Sequence, residues 1–261
     1  MIEPLLRGAG QPLVIGHRGL PPLAPENTLR SFELALEHGA DGFEVDAVAL
    51  ADGTLVAGHS LDLAELCHGA ERGNAGARTL DELRRLDAGL VTVEQVLEFA
   101  VPRLFSGPLL VDLKSRGQER VLIEALRRHG LQGRVLLCSL ERSQLVRLRE
   151  LAPEIARSLS YPADRRRLSE RTMIAPLVPL AVHGLRLILR RRIRAWLNET
   201  GAAAVTLHHG VIDSELVRRC HEWGIAVFAW TVDDAGIRQR LVEVGADGII
   251  TNDPRPYSPT R

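Results

Sequence analysis

The chain has 261 residues, 45% of them hydrophobic, so it is long enough to bury the core of one large domain of the size of an α/β barrel. Its 33 basic and 33 acidic residues balance, which leaves no overall positive field for nucleic acid. The three cysteines lie far apart without a C-x-x-C pair, which argues against a disulfide framework and a zinc site and for a reducing compartment. With no signal peptide recognised, we expect a single cytoplasmic domain over residues 1–261.

The first elements predict a strand, a helix and a second strand. An apolar run over 13–16 is typical of a short buried strand. A helix is expected from Asn27 or Thr28, either of which can cap it, to about His38. The segment 41–48 predicts the second strand, so strands and helices alternate from the start of the chain.

A hairpin strand and a loop or short insertion are expected before this alternation continues. The Asp-Gly pair at 52–53 is a tight-turn signal, which predicts a hairpin strand over 55–58 that returns beside the second strand. No clear periodicity is found over 60–78, as is typical of a loop or short insertion. Thr79 and Thr92 each begin a capping-box pattern, so two helices are expected to start there.

From there to the end of the chain, apolar strand patterns alternate with helical patterns. The strand patterns cover 109–113, 135–140, 155–161, 203–207, 226–232 and 248–251, and the helical patterns cover 119–128, 142–151, 213–223 and 234–244. Continuous apolar strands of this kind imply parallel strands covered by helices. With the first two strands they make eight, which predicts a TIM (β/α)8 barrel with a small hairpin and loop insertion after the second strand. A doubly wound open sheet is the alternative, but it usually needs fewer strands and a glycine-rich first turn.

Acidic residues on two predicted strands favour a metal site. Glu44 and Asp46 share one face of a strand, where two like charges are costly without a cation between them. Asp112 and Lys114 repeat this spacing on the next strand pattern. The alternatives are solvated acids and a simple salt bridge, but Lys114 is the only lysine of the chain and lies where barrel active sites form. We expect Asp112 to be a third ligand of Mg²⁺ or Ca²⁺ and Lys114 to contact a phosphate oxygen.

Two histidines at strand ends favour acid/base chemistry. His17 and His59 each follow an apolar strand near the rim that carries the acids. A lone histidine at such a position is more often structural, but the pair predicts a general acid and a general base. Arg18 can grip a phosphate with two hydrogen bonds or tie down a loop. Trp230 ends the seventh strand, where it belongs to the core or packs on a glycerol or alkyl group.

A series of motifs along most of the chain resembles the glycerophosphodiester phosphodiesterase family. They are GHRG, APENT, GADGFEVD, DGTLVAGH, SLERSQLVRLRELAPEI, WTVDD and GADGIITNDP. The similarity is most specific over 15–59 and weakens over about 160–200. It implies a TIM barrel, a divalent metal, and hydrolysis of glycerophosphodiesters to glycerol 3-phosphate and an alcohol. By motif position it implies acid/base histidines His17 and His59, metal ligands Glu44 and Asp46, and phosphate contacts Arg18 and Lys114.

The chain departs from the family pattern at two positions. Ser60 follows His59, where the family usually has aspartate, so a carboxylate for this histidine has to come from elsewhere, and Asp62 is the expected source. Asp112 stands where the family usually has glutamate, and its shorter arm leaves room for a water in the metal shell or favours a different ion. Because of these departures, one alternative from another class of function stays open, namely a catalytically weak barrel that binds phosphate-bearing ligands.

The region 165–197 is rich in arginine and surrounds an apolar segment. A helix over 180–197 would be basic on one side and apolar on the other. We expect either an outer barrel helix with a solvated arginine face or a surface helix that docks on an anionic membrane. The second reading makes the chain peripheral to the membrane and favours a lysophospholipase D, which acts on lysophospholipids.

Overall fold

Eight parallel strands close into a barrel. A computed structural model describes residues 5–7, 10–67, 69, 71–104, 107–162 and 178–257. The barrel strands are β1 (Leu13–His17), β2 (Gly42–Ala49), β4 (Leu109–Leu113), β5 (Val135–Ser139), β6 (Ala156–Tyr161), β7 (Ala204–His208), β8 (Ala226–Trp230) and β9 (Gly248–Thr251), and β3 (Leu55–Ala57) is an additional strand antiparallel to β2. Because β1 pairs with both β2 and β9, the sheet has no free edge in the barrel. The predicted TIM barrel is confirmed, and the open-sheet alternative is wrong.

Helices follow the barrel strands and cover them. They are α1 (Leu29–Glu37), α2 (Leu63–Leu66), α3 (Leu80–Arg84), α4 (Val93–Ala100), α5 (Glu119–Arg128), α6 (Arg142–Leu151), α7 (Val178–Thr200), α8 (Ser214–Glu222) and α9 (Ala235–Glu243). Thr28 caps α1, since its side chain accepts a hydrogen bond from the backbone N–H of Ser31. Both predicted capping boxes form, at Thr79 and Thr92. Local side-chain chemistry therefore decides where these helices begin.

The segment between β3 and α4 is an insertion with an apolar cluster of its own. It contains α2 and a 3-10 turn over Ala75–Ala77, both too short to produce a periodic pattern in the sequence. Leu63, Leu66 and Leu83 are buried there in one cluster with Val48 of β2. The insertion is thus anchored by apolar packing to the strand that carries the acidic pair.

Apolar side chains fill the interior of the barrel below its carboxyl end. Ile15, Leu110, Leu136 and Phe228 come from four strands and form one buried cluster. A Cβ atom on Gly248 would lie only 2.1 Å from Phe228 Cδ1, so glycine at this position lets the ring fill the barrel. Two residues further along their strands, Ile15 and Leu110 are followed by the polar residues His17 and Asp112, so the apolar cluster lies beneath them.

The basic helix is longer than the sequence predicted. A helix was predicted over 180–197, whereas the observed α7 has 23 residues. The basic stretch from 163 to 177, which precedes it, lies outside the described residues. Leu180, Leu187 and Ile188 are exposed on α7, so its apolar residues are only partly buried. Among the helices that the structure describes, none is long and apolar enough to cross a membrane.

Candidate active site

Three carboxylates converge at the carboxyl end of the barrel. Glu44 and Asp46 lie on one face of β2, and the strand register sets Asp46 opposite Asp112 of β4. One carboxylate oxygen from each residue lies within 4.8 Å of the other two. Glu44 and Asp46 are buried, whereas the Asp112 side chain is 17% exposed. The acids that the sequence predicted as metal ligands are therefore neighbours in space.

Two cationic side chains cross-link this cluster. Lys114 Nζ lies 3.0 Å from Asp46 Oδ1 and 2.5 Å from Asp112 Oδ2. Arg18 Nε lies 2.8 Å from Asp46 Oδ2, and the Arg18 backbone N–H donates to Glu44 Oε2 at 3.1 Å. This backbone contact occurs with Arg18 in the left-handed region, at a φ of +56°, which is uncommon for a residue other than glycine and clusters at functional sites.

Burial and neighbouring charges set the protonation of the buried pair. Burial, and after it the like charge of Asp46, raises the pKa of Glu44 well above its ordinary value. Burial by itself would also raise the pKa of Asp46, but Lys114 and Arg18 outweigh it and hold that pKa below its usual range. Without a cation one acid of the pair is therefore driven toward its neutral form, and a divalent cation would favour the charged form of both.

Asn27 supports the cluster from the loop before α1. Its Nδ2 donates to Asp46 Oδ2 at 3.3 Å, and its Oδ1 accepts from the Asp46 backbone N–H at 3.2 Å. Asn27 is buried with a φ of +58°, and its own N–H donates to the Arg18 carbonyl. Next to it, both oxygens of Glu26 accept from Arg18 Nη1. The sequence predicted a helix cap at Asn27 or Thr28 within the APENT motif, but neither Glu26 nor Asn27 was expected to be part of the site.

His17 is held by a chain of two polar residues from the last two strand ends. Its Nδ1 lies 2.8 Å from Asn252 Oδ1, and Asn252 Nδ2 donates to Asp233 Oδ2 at 2.7 Å. Because the carboxylate only accepts, the Asn252 amide oxygen faces His17, whose Nδ1 must therefore carry the proton. Burial, and after it the Arg18 charge, lowers the pKa of His17 to about 4. The neutral ring presents an unprotonated Nε2.

His59 is held by a carboxylate that the sequence did not point to. Glu65 Oε1 lies 2.8 Å from His59 Nδ1, and Ser60 Oγ donates to Glu65 Oε2 at 2.8 Å. The expectation that Asp62 supplies the missing carboxylate is wrong. Asp62 is the N-cap of α2, and its side chain accepts from the backbone N–H of Ala64. A one-turn helix with no periodic signal brings Glu65 to the histidine.

Trp230 and His208 form the wall at the ends of β7 and β8. Trp230 Nε1 donates to the Thr206 carbonyl at 3.1 Å, and its partly buried ring meets the His208 ring edge to face at 5.5 Å between centroids. The Gly210 N–H donates to His208 Nδ1, so the neutral ring carries its proton on Nε2. Burial, and after it His209, lowers the pKa of His208 to about 4. His208, for which no role was predicted, is therefore a neutral hydrogen-bond donor beside Trp230.

A divalent cation fits the residues of the acidic cluster. Asp112 Oδ1 is buried and has no hydrogen-bond partner among the residues that the structure describes. Leaving a buried acceptor unpaired is costly, and a cation beside it would remove that cost. Three carboxylates are a hard oxygen donor set, which suits Mg²⁺ or Ca²⁺ better than a metal that prefers sulfur or imidazole.

The chain is similar to known proteins over most of its length. The model of the glycerophosphoryl diester phosphodiesterase family matches residues 17–255. A glycerophosphodiester phosphodiesterase from Caldanaerobacter subterraneus subsp. tengcongensis is 30% identical over 258 residues, covering 93% of this chain and 94% of that protein.

Solved structures share the fold. A phosphodiesterase from Oleispira antarctica, solved in complex with the product sn-glycerol-3-phosphate, has a TM-score of 0.77 at 26% identity and covers 94% of this chain and 95% of its own. A solved structure from Silicibacter pomeroyi has a TM-score of 0.76 at 24% identity, covers 97% of this chain and 94% of its own, and shows the same fold. The chain therefore belongs to the glycerophosphoryl diester phosphodiesterase family and is an enzyme of that class.

Proposed function

We propose that this enzyme hydrolyses glycerophosphodiesters to glycerol 3-phosphate and an alcohol, with a divalent cation held by Glu44, Asp46 and Asp112 and with His17 and His59 as the acid/base pair. The observation that carries the proposal is the convergence of three carboxylates at the carboxyl end of the barrel, one with a buried oxygen that has no partner within the described part of the chain. This is the end at which barrel enzymes build their active sites.

The charges of the site match a divalent cation and an anionic diester. Four carboxylates, from Glu26, Glu44, Asp46 and Asp112, face two cationic side chains, from Arg18 and Lys114, which leaves a formal charge of about −2 when all are ionised. When bound, a Mg²⁺ or Ca²⁺ ion would balance this charge, polarise the phosphoryl group and neutralise charge that develops there.

The side chains around the carboxylates supply the remaining functions. Lys114 is 21% exposed and Arg18 16% exposed, so both have surface left for phosphate oxygens. Both histidines keep Nε2 for proton transfer, because Nδ1 of each ring is held by a polar partner. One ring takes a proton from the nucleophile, which is water or the neighbouring glycerol hydroxyl, and the other protonates the leaving alcohol. Trp230 packs beside the glycerol or alkyl portion.

The direct test is hydrolysis of glycerophosphocholine and glycerophosphoethanolamine with Mg²⁺, with Ca²⁺ and with a chelator. We expect release of glycerol 3-phosphate with a divalent cation and loss of that activity with the chelator. Detection of a transient cyclic phosphate by ³¹P NMR would identify the glycerol hydroxyl as the nucleophile. Full activity in chelator would contradict the metal-dependent mechanism.

A matched pair of acid variants tests the location of the metal site. Asp112→Asn should weaken cation binding in calorimetry and lower activity. Glu150→Gln is the control, since Glu150 is an exposed acid of α6 that pairs with Arg147. Equal cation affinity of Asp112→Asn and the wild type would contradict the assignment of Asp112 as a ligand.

A second candidate activity is that of a lysophospholipase D at a membrane surface. The observation in its favour is the exposed apolar set of Leu180, Leu187 and Ile188 on α7, with Arg191 and Arg192 exposed one turn further along. The other interpretation of α7, as an outer helix of the barrel, is supported by Leu189, whose side chain is fully buried in the main core.

Sedimentation with vesicles separates the two readings. Membrane docking predicts pelleting with anionic but not neutral vesicles, together with hydrolysis of lysophosphatidylcholine. The double change Leu187→Ser and Ile188→Ser should abolish pelleting, whereas Val121→Ser, which alters an equally exposed residue of α5, should not. Absence of lipid-dependent pelleting would reject this candidate.

A further inference from the structure

We propose that Glu65 is a positioning residue for His59 and that Glu65 and Ser60 together replace the carboxylate that the family pattern has directly after this histidine. Glu65 Oε1 lies 2.8 Å from His59 Nδ1, and Glu65 Oε2 accepts from Ser60 Oγ at 2.8 Å. This inference rests on the proposed function, in which His59 is one member of the acid/base pair.

Ser60 fixes the orientation of the Glu65 carboxylate. The Ser60 hydroxyl oxygen accepts from the Asp62 backbone N–H at 3.1 Å, so its single proton is available to Glu65. One oxygen of Glu65 is thus held by Ser60 while the other meets the histidine. A serine at this position has a defined task, because it anchors a carboxylate that comes from five residues further along the chain.

The packing of α2 brings Glu65 to this position. Leu63 and Leu66, on either side of Glu65 in the helix, are buried. A Cβ atom on Gly58 would lie 2.3 Å from Leu66 Cδ1, so the helix packs directly on the backbone that precedes His59. Asp62 caps the first turn. The position of Glu65 therefore depends on apolar packing against the same segment that carries the histidine.

The contact selects one tautomer of His59. A carboxylate only accepts hydrogen bonds, so Nδ1 of His59 carries the proton and Nε2 remains for proton transfer with the substrate. Without Glu65 the neutral ring is free to place its proton on either nitrogen and to rotate about its side-chain torsions. Both changes reduce the fraction of molecules with a correctly aimed Nε2.

Steady-state kinetics on glycerophosphocholine test this role. Glu65→Ala should lower kcat about 10- to 100-fold while KM changes by less than about twofold, because alignment and not substrate binding is lost. Glu65→Gln, which keeps an acceptor oxygen, should lose less. Glu71→Ala is the control, since Glu71 is an exposed acid of the same insertion that pairs with Arg78, and it should keep wild-type kcat. A wild-type kcat for Glu65→Ala, or the same loss in Glu71→Ala, would overturn the proposal.

Returning a carboxylate to position 60 tests the replacement itself. The double variant Ser60→Asp with Glu65→Ala should recover at least about tenfold in kcat over Glu65→Ala alone, if it melts cooperatively like the wild type. A folded double variant without recovery would overturn the idea that the two arrangements are equivalent.

A spectroscopic readout separates this inference from the proposed function. In ¹H–¹⁵N correlation spectra of the histidine rings, assigned with His59→Gln, the neutral wild-type His59 should show the proton on Nδ1. Glu65→Ala should show a mixture of tautomers. An enzyme without activity on any glycerophosphodiester would reject the proposed function, whereas a mixed His59 tautomer in the wild type would reject the role of Glu65.

Discussion

The two histidines of the site reach the same arrangement from different parts of the molecule. His17 belongs to barrel strand β1, and its partner Asn252 follows β9, the strand paired with β1. His59 follows the hairpin strand β3, and its partner Glu65 lies in a four-residue helix of the insertion. In both cases Nδ1 is held, and no described residue forms a hydrogen bond with Nε2. The barrel supplies a neutral amide for one ring, and the insertion supplies a carboxylate for the other.

The surroundings of His17 favour its neutral form. Burial, followed by the neighbouring Arg18 charge, lowers its pKa to about 4, and its partner Asn252 is uncharged. A ring that is neutral at pH 7 accepts a proton without having to lose one first. We therefore predict that His17 is the base and that His59, with a carboxylate at its Nδ1, donates the proton to the leaving alcohol.

The largest expected effect comes from replacing each histidine. His17→Gln and His59→Gln should each lower kcat on glycerophosphocholine about 10²- to 10⁴-fold. With a p-nitrophenyl ester of glycerol phosphate, whose leaving group needs no proton, His59→Gln should recover most of its activity and His17→Gln should not. Recovery of His17→Gln alone would reverse the assignment of acid and base.

Loss of the amide that holds His17 should have the next largest effect. Asn252→Ala removes the acceptor of the His17 Nδ1 proton, so kcat should fall about tenfold to 100-fold with a small change in KM. Arg255→Ala is the control, because Arg255 is an exposed residue of the same segment that pairs with Asp253. Comparing this loss of kcat with that of Glu65→Ala would show which of the two histidines depends more on the residue at its Nδ1.

The buried His17 ring should contribute to the pH dependence of stability. The pKa of His17 rises from about 4 in the folded protein to an ordinary value of 6.5 on unfolding, so between these values the unfolded chain binds more protons. Stability should therefore fall as pH decreases from 6.5 toward 4, by at most about 3 kcal/mol from this group. Urea unfolding in chelator should show a shallower pH dependence in His17→Gln. An unchanged slope would contradict the burial argument.

The smallest expected effect is a difference in how readily the insertion and the barrel open locally. The insertion that holds Glu65 is short and rests on its own small apolar cluster, whereas the partner of His17 is attached to the closed barrel. Hydrogen exchange followed by mass spectrometry should therefore be faster in peptides covering 60–67 than in peptides covering 248–252. Equal protection of both segments would show that the insertion opens only with the barrel.

Many of the barrel strands and helices were predictable because the sequence patterns that indicate them are local. The helices over 119–128 and 142–151 and the strands over 109–113 and 248–251 agree with the predicted bounds, since periodic burial and helix ends are properties of neighbouring residues. The insertion after β2 was predicted, but its internal structure was not, because a helix of four residues gives no periodic pattern. Its one expected contribution, a carboxylate from Asp62, was wrong since that side chain caps α2.

The sequence by itself determined the alternation of strands and helices, the pairing of Glu44 with Asp46 on one strand face, and the two histidines at strand ends. These depend on spacings of a few residues, which the backbone converts into a shared face. Only the tertiary structure decided the partners. Asn252 reaches His17 across 235 residues because the barrel closes, and Glu65 reaches His59 because Leu66 packs on Gly58. The first contact joins segments that are far apart in the chain, and the second, although its residues are close in sequence, depends on how α2 packs, so neither follows from spacing alone.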